Sequence, residues 1–196
     1  MKKSWIILAI IVLLVIIGYA SIKNTYNQMV SKGEQVTAQW ANVENVYQRR
    51  MDLIPNLVTT VKGYADFEQE TLTQVIEARS KATSINVDAD NLNPAMLDQF
   101  QEAQAGLSSA LSRLMVVVER YPDLKANQNF LELQAQLEGT ENRIAVERRK
   151  FNETAMEYNT FIKQFPKNIY ASIFNFESKA YFAADEAARE VPQVEF

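Results

Sequence analysis

The chain contains no cysteine and no histidine. The first absence excludes disulfides, thiol catalysis and thiolate metal sites. The second removes both the commonest general base and the commonest metal ligand. A di-iron centre of the kind that helical bundles carry needs a Glu-x-x-His motif on two helices, so that option fails as well. Glycine and proline number only five each in 196 residues, too little punctuation for a many-stranded protein. There is no Gly-rich phosphate loop and no Gly-x-Ser-x-Gly elbow. A carboxylate-only site is left open by spacing alone, but carboxylates on long helices are usually solvated surface charges. The expectation is a non-enzymatic protein with no cofactor and no metal.

What is present favours helix. Ala, Leu, Glu, Gln, Lys and Arg dominate, the residues that lose least on entering a helix. Of the 20 basic residues only Lys2 and Lys3 precede Ile22, while all 24 acidic residues follow it. The body is therefore net acidic by six charges, which argues against nucleic acid as a partner.

Residues 5–22 read W-I-I-L-A-I-I-V-L-L-V-I-I-G-Y-A-S-I, between Lys3 and Lys23. Eighteen helical residues reach about 27 Å, close to the thickness of a bilayer's hydrocarbon core. Trp5 and Tyr19 stand near the two ends, where aromatic rings favour the headgroup region. A cleaved signal peptide is the rival reading, since Gly18-Tyr19-Ala20 offers small residues at a cleavage site. A retained single-pass anchor over residues 1–23 is preferred because Ile22 extends the run and helical patterning resumes at once. The Lys2–Lys3 pair outweighs Lys23 and Lys32 only slightly, leaning toward a cytoplasmic N-terminus and an extracytoplasmic body.

Residues 24–166 carry heptad seams. The first helix places Tyr26, Met29, Gly33, Val36, Trp40, Val43, Tyr47, Arg50, Ile54, Leu57, Val61 and Tyr64 on one stripe, with Pro55 as a local break and Gly63 as a stop. A second helix is expected over 65–83, with Leu72, Val75, Ile76 and Ala82 inward, then a polar loop over 84–93. Pro94 suits the first turn of a third helix capped by Asn93, with Leu97, Phe100, Gln104, Leu107, Leu111, Leu114 and Val118 inward. Tyr121-Pro122-Asp123 stops it. The fourth stripe runs from Phe130 through Leu137, Ile144, Phe151 and Tyr158 to Phe165, and Pro166 ends it. The fold class is all-α: a transmembrane helix followed by an antiparallel four-helix bundle of long helices. A dimeric coiled coil is the alternative, but these stripes are wider than a two-in-seven seam.

Residues 167–196 form an aromatic-rich tail with Tyr170, Phe174, Phe176, Tyr181, Phe182 and Phe196. Packing on the bundle is the first expectation and a docking patch for a partner the second, since aromatics are enriched at interfaces.

Two stretches go beyond generic helix. Residues 47–67 read Y-Q-R-R-M-D-L-I-P-N-L-V-T-T-V-K-G-Y-A-D-F. Residues 121–152 read Y-P-D-L-K-A-N-Q-N-F-L-E-L-Q-A-Q-L-E-G-T-E-N-R-I-A-V-E-R-R-K-F-N, followed by E-Y-N-T-F-I-K-Q-F-P. Together they resemble the LemA family of bacterial membrane proteins, over essentially the whole chain. The resemblance implies a bacterial origin, an N-terminal transmembrane helix and a four-helix bundle, and it implies no reaction. It also implies a short N-terminus outside the cell, opposite to the lysine count, so the side of the membrane stays open.

Within these stretches Arg50 falls on the apolar stripe, beside Arg49 and Asp52. Glu138 or Glu141 on the fourth helix is its expected counterpart, giving a buried or half-buried ion pair that fixes register. The competing reading is an anion or headgroup site made with Arg143, Arg148 and Arg149. Asn56 is expected to satisfy the carbonyl that Pro55 leaves unpaired. Arg148-Arg149-Lys150 reads most simply as a solvated face, and as a second choice as part of a docking surface with the tail aromatics. Asn152-Glu153-Thr154 matches a glycosylation sequon but lies mid-helix and is read as accidental. The leading function is a membrane-tethered interaction module or scaffold with an unidentified membrane-protein partner, and with homo-oligomerisation open. A small-ligand sensor signalling through a partner is the second reading. It is the weaker one, because only about four residues precede the apolar run and no output domain stands there.

Overall fold

A computed structural model describes residues 2–64, 68–85, 87 and 92–183. The expected start of the second helix at 65–67, half of the 84–93 loop, and Phe196 lie outside the described residues. The described chain is all-α. Its helices are α1 (Lys2–Lys62), α2 (Gln69–Ser84), α3 (Pro94–Val118), α4 (Pro122–Lys125), α5 (Gln128–Lys163) and α6 (Lys167–Ile173).

Helix α1 runs unbroken for 61 residues, about 90 Å at 1.5 Å per residue. The apolar run and the first body helix are thus one rod, continuous across residue 23. Its most apolar 18-residue window has a mean hydropathy of 2.9 and is wholly unburied, so α1 is long and apolar enough to cross a membrane.

Beyond that window α1 and α5 pack antiparallel. Lys32 pairs with Glu157 at 3.4 Å, Gln39 with Glu147 at 2.7 Å and Arg50 with Glu141 at 2.9 Å. Helices α2 and α3 pair antiparallel too, with Glu68 2.7 Å from Arg120 and Lys81 3.9 Å from Glu102 at opposite ends. Caps set the boundaries: the Asn93 side chain accepts from Met96 N, and that of Asn127 accepts from Phe130 N. Each satisfies one backbone N–H that the first turn would leave unpaired.

Two apolar clusters fill the interior. One is built on Met51, Ile54, Leu57, Val61, Leu72, Leu107, Leu114 and Phe130, and the other on Met29, Val36, Trp40, Val43, Phe100, Ile144, Phe151 and Tyr158. Every expected inward position of α3 is buried. Three other inward expectations are corrected. Tyr26, at the head of the first stripe, is 40% exposed. Ile76 is exposed, and Thr71 beside Leu72 and Val75 takes the inward place instead. Phe165 is 80% exposed because α5 stops at Lys163, before the stripe reaches it. In the last turns of α5 Ala155, Asn159 and Ile162 join Tyr158 and Phe161 in the buried set. That is the drift expected when a 3.6-residue helix is read with a 3.5-residue ruler.

Pro55 does not end α1. Proline lacks the N–H that would bond the Met51 carbonyl one turn back. Arg79 of α2 supplies that donor, its Nε 3.0 Å from Met51 O. Asn56, expected in that role, is exposed. Arg79→Ala is expected to destabilise by about 1–3 kcal/mol, since it orphans a buried carbonyl. In the Pro55→Ala background the cost should shrink, because the restored amide takes the same carbonyl. A double-mutant cycle in urea measures this, and an equal loss in both backgrounds would remove the assignment.

Candidate functional site

Arg50 sits at the seam between the two apolar clusters and is 2% exposed. Its α1 position faces both α3 and α5. Nη1 donates to Ser108 Oγ and to Glu141 Oε2, each at 2.9 Å. Nη2 donates to the side-chain oxygen of Gln104 and, at 3.4 Å, to the Gln104 carbonyl. The guanidinium also lies 5.2 Å from the Tyr47 ring centroid. One arginine thus ties three helices together where the apolar packing changes over. Its planar fork suits that task, since a lysine ammonium could not hold the same pairs. Arg50 Nε and Trp40 Nε1 are buried without a hydrogen-bond partner among the described residues. A cleft of about 640 Å³ is lined by Arg50. Asp98, Gln101, Glu102, Glu141 and Arg148 line its wall.

The second feature is the tail. After α6 the chain reverses at Asn175, whose φ of 58° lies in the left-handed region that asparagine tolerates. Residues 176–183 then run without helix along α5. Two asparagines of α5 hold that run by its backbone. Asn159 accepts from Lys179 N and donates to Lys179 O, both at 2.8 Å. Asn152 accepts from Phe182 N at 2.8 Å and donates to Phe182 O at 3.0 Å. The spacing is a matter of arithmetic: seven helical residues rise about 10.5 Å and three extended residues about 10 Å. Gln101 of α3 accepts from Ala183 N at 3.1 Å, and Arg148 donates to Ala183 O at 3.0 Å.

Phe182 is the apolar anchor of this segment. It is 4% exposed, stacks on Trp40 with centroids 5.9 Å apart, and meets the Phe151 ring edge-on at 5.4 Å. Arg148 lies 4.9 Å from its centroid. Phe176 is half-buried against Tyr26, and Phe174 touches the same ring at 5.0 Å while staying exposed. Tyr170 is half-buried and Tyr181 exposed. Of the tail aromatics, Phe182 belongs to the interior, whereas Tyr181 and Phe174 present surface. Tyr181 and Met156 border an open cleft of about 690 Å³ with Arg148, Arg149 and Asn152.

Apart from Arg149, which lines the tail cleft, the other sequence-selected residues lie away from these two features. Arg49, Asp52, Asn56, Glu138, Arg143 and Arg149 are exposed. Asp52 accepts from Gln48 and Glu138 from Gln134, both within one turn. Arg149 stands 3.9 Å from Glu153. The residues that sequence reasoning missed are Asn152, Asn159, Gln101, Gln104 and Ser108. Asparagine is a poor residue for a helix interior, and two of them seven apart on the buried side of α5 were the available signal.

The Lys150 hydrogen bond, against desolvation and helped by Gln39, holds the Glu147 carboxyl below its ordinary range. That contact therefore strengthens the body above the usual carboxylate titration and is lost as pH falls through it. Burial, and then the charge of Glu177, push the Tyr158 phenol up. Among the described residues no three acidic side chains converge as a metal site would require.

Comparison with known proteins places these features in a wider set. The family model described as "LemA family" matches residues 39–196. Magnetosome protein MamQ 2 of Paramagnetospirillum magneticum is 29% identical over 197 residues, covering 90% of this chain and 71% of its own length. Magnetosome protein MamQ of Magnetospirillum gryphiswaldense is 28% identical over 198 residues, with the same coverage. Protein LemA of Metamycoplasma hominis is 26% identical over 163 residues, covering 83% of this chain and 71% of its own.

Proposed function

The chain belongs to the LemA family, and from that premise we propose that it is a non-enzymatic, single-pass membrane protein whose four-helix bundle docks a partner protein. The observation that carries this reading is the cleft beside the tail, which exposed Met156 and Tyr181 line together with Arg148, Arg149 and Glu153. Exposed apolar residues among charged ones on a rigid helix suit recognition of a partly apolar protein surface. The apolar end of α1 supplies the anchor, and confinement to one membrane raises the effective concentration of a co-resident partner. None of the relatives' names specifies a reaction, and two of them tie those proteins to the magnetosome. A role common to them and to the mycoplasma protein would rest on the shared helical body.

Cross-linking of the full-length protein in native membranes, followed by mass spectrometry of the adducts, tests the reading. One membrane protein recovered repeatedly through residues 145–183 is the expected result. Self-adducts alone would turn the search to ligands. The cleft over Arg50 favours that second reading, a membrane-tethered small-ligand sensor, because its floor and walls carry both signs of charge. The lysine pair at residues 2 and 3 leads us to place the body outside the cytoplasm. A membrane-impermeant maleimide should then label Met156→Cys in intact cells. Labelling that requires lysis would place the body inside.

A further inference from the structure

The outward face of α6 is apolar and lies at the height where α1 leaves its apolar run. The inward face is made by Lys167, Tyr170, Ala171 and Phe174 toward α1 and α5. On the opposite side stand Ile169, 48% exposed, and Ile173, 64% exposed, one turn apart, and Phe165, 80% exposed, lies in the turn that leads into the helix. Three large exposed apolar side chains at one end of the body are out of place in water.

Their height follows from the packing. Phe174 and Phe176 both rest on Tyr26, with ring centroids at 5.0 and 5.5 Å. Tyr26 is four residues beyond Ile22, so it stands about 6 Å along α1 from the end of the apolar run. The headgroup region of one leaflet is roughly 5–8 Å deep. Because α1 is one unbroken helix, this offset is built into the protein. The turn from α5 through α6 to Asn175 is also the part of the body nearest the apolar run, since the tail then climbs back toward Asn152.

We propose that α6 is a second membrane contact, an interfacial helix whose Ile169 and Ile173, with Phe165 from the turn before it, enter the headgroup–acyl boundary of the bilayer that α1 crosses. Lys23 and Lys163, both exposed, fit such a position, with long stems beside apolar surface and ammonium groups that can reach phosphate. The occupant of the face is lipid, because the face continues the anchor's own apolar surface at a fixed distance. This inference rests on the anchor reading of α1.

The cysteine-free sequence allows nitroxide labelling at single introduced cysteines. The full chain carrying Ile169→Cys, Ile173→Cys, Met156→Cys or Val12→Cys would be reconstituted in phosphatidylcholine–phosphatidylglycerol vesicles. Collision with dissolved oxygen would then be compared with collision with a water-soluble nickel chelate. The labels at 169 and 173 are expected to favour oxygen several-fold more than the label at 156, at headgroup depth, with the label at 12 deeper still. A label at 173 as open to nickel as that at 156, while the label at 12 stays in lipid, would overturn the interfacial helix and leave the anchor standing. A label at 173 shielded from both reagents would overturn it in favour of a protein contact. A label at 12 open to nickel would remove the anchor and the interfacial helix together.

Discussion

Arg50→Ala is expected to cost the body about 3–4 kcal/mol, lowering its melting temperature by roughly 10 °C. The loss has several physical sources. Gln104 is 5% exposed, and both its side-chain oxygen and its carbonyl lose their donor. Ser108 loses a partner, and the space left by the guanidinium and its stem opens between two apolar clusters. The charge pair itself contributes less. The Glu141 side chain is 56% exposed, so water can take over its solvation, and Glu141→Gln should cost under about 1 kcal/mol. The asymmetry between the two partners separates a buried polar tie from a simple ion pair. Arg50→Lys should lie close to Arg50→Ala, because four acceptors arranged around a planar fork do not match the geometry of one ammonium. If Arg50→Ala melts within two or three degrees of the parent, the guanidinium is not what joins the clusters.

Phe182→Ala is expected to release the tail without unfolding the helices. Truncating a buried phenylalanine typically costs about 3–5 kcal/mol. Here the penalty falls on a segment that can leave its groove while α1 and α5 stay paired. Amide exchange at Lys179, Phe182 and Ala183 should quicken by roughly a hundredfold, the factor that about 3 kcal/mol implies. Protection at the centre of α5 should hardly change. Asn152→Ala removes two backbone hydrogen bonds and should give the same pattern at about 2 kcal/mol. A global loss of protection in either variant would mean that the tail is part of the cooperative core. Unchanged exchange at Phe182 would mean that the groove does not hold it.

Much of the architecture was legible in periodicity. The α3 stripe from Leu97 to Val118 is buried as spaced, and Asn93 with Pro94 fixes where that helix starts. Arg50 stood out because a charge on an apolar stripe needs a partner, and that partner had to come from the antiparallel helix. The Pro55 carbonyl shows the limit of local reasoning. Asn56 was the neighbour in sequence, but the donor is Arg79, which only the packing of α2 brings to Met51. The tail shows the same limit more strongly. Its aromatics announced packing or docking, but which of them pack depends on Asn152 and Asn159, whose role is to bind main chain and leaves no side-chain pattern in residues 176–183. Asn159, the buried one of the two, also marks where the α5 stripe drifts, an effect that a rigid heptad reading hides.

The docking reading is tested most directly by site-specific photo-cross-linking in native membranes. A benzophenone amino acid would replace Met156 beside Tyr181 in one full-length protein and Val116 in another. Val116 is also apolar and 71% exposed, but it stands on α3. The expected result is one recurrent membrane-protein adduct from position 156, absent from position 116 and weakened by Arg149→Glu. Equal adducts from both positions, or none from position 156, would contradict a docking face at the tail cleft.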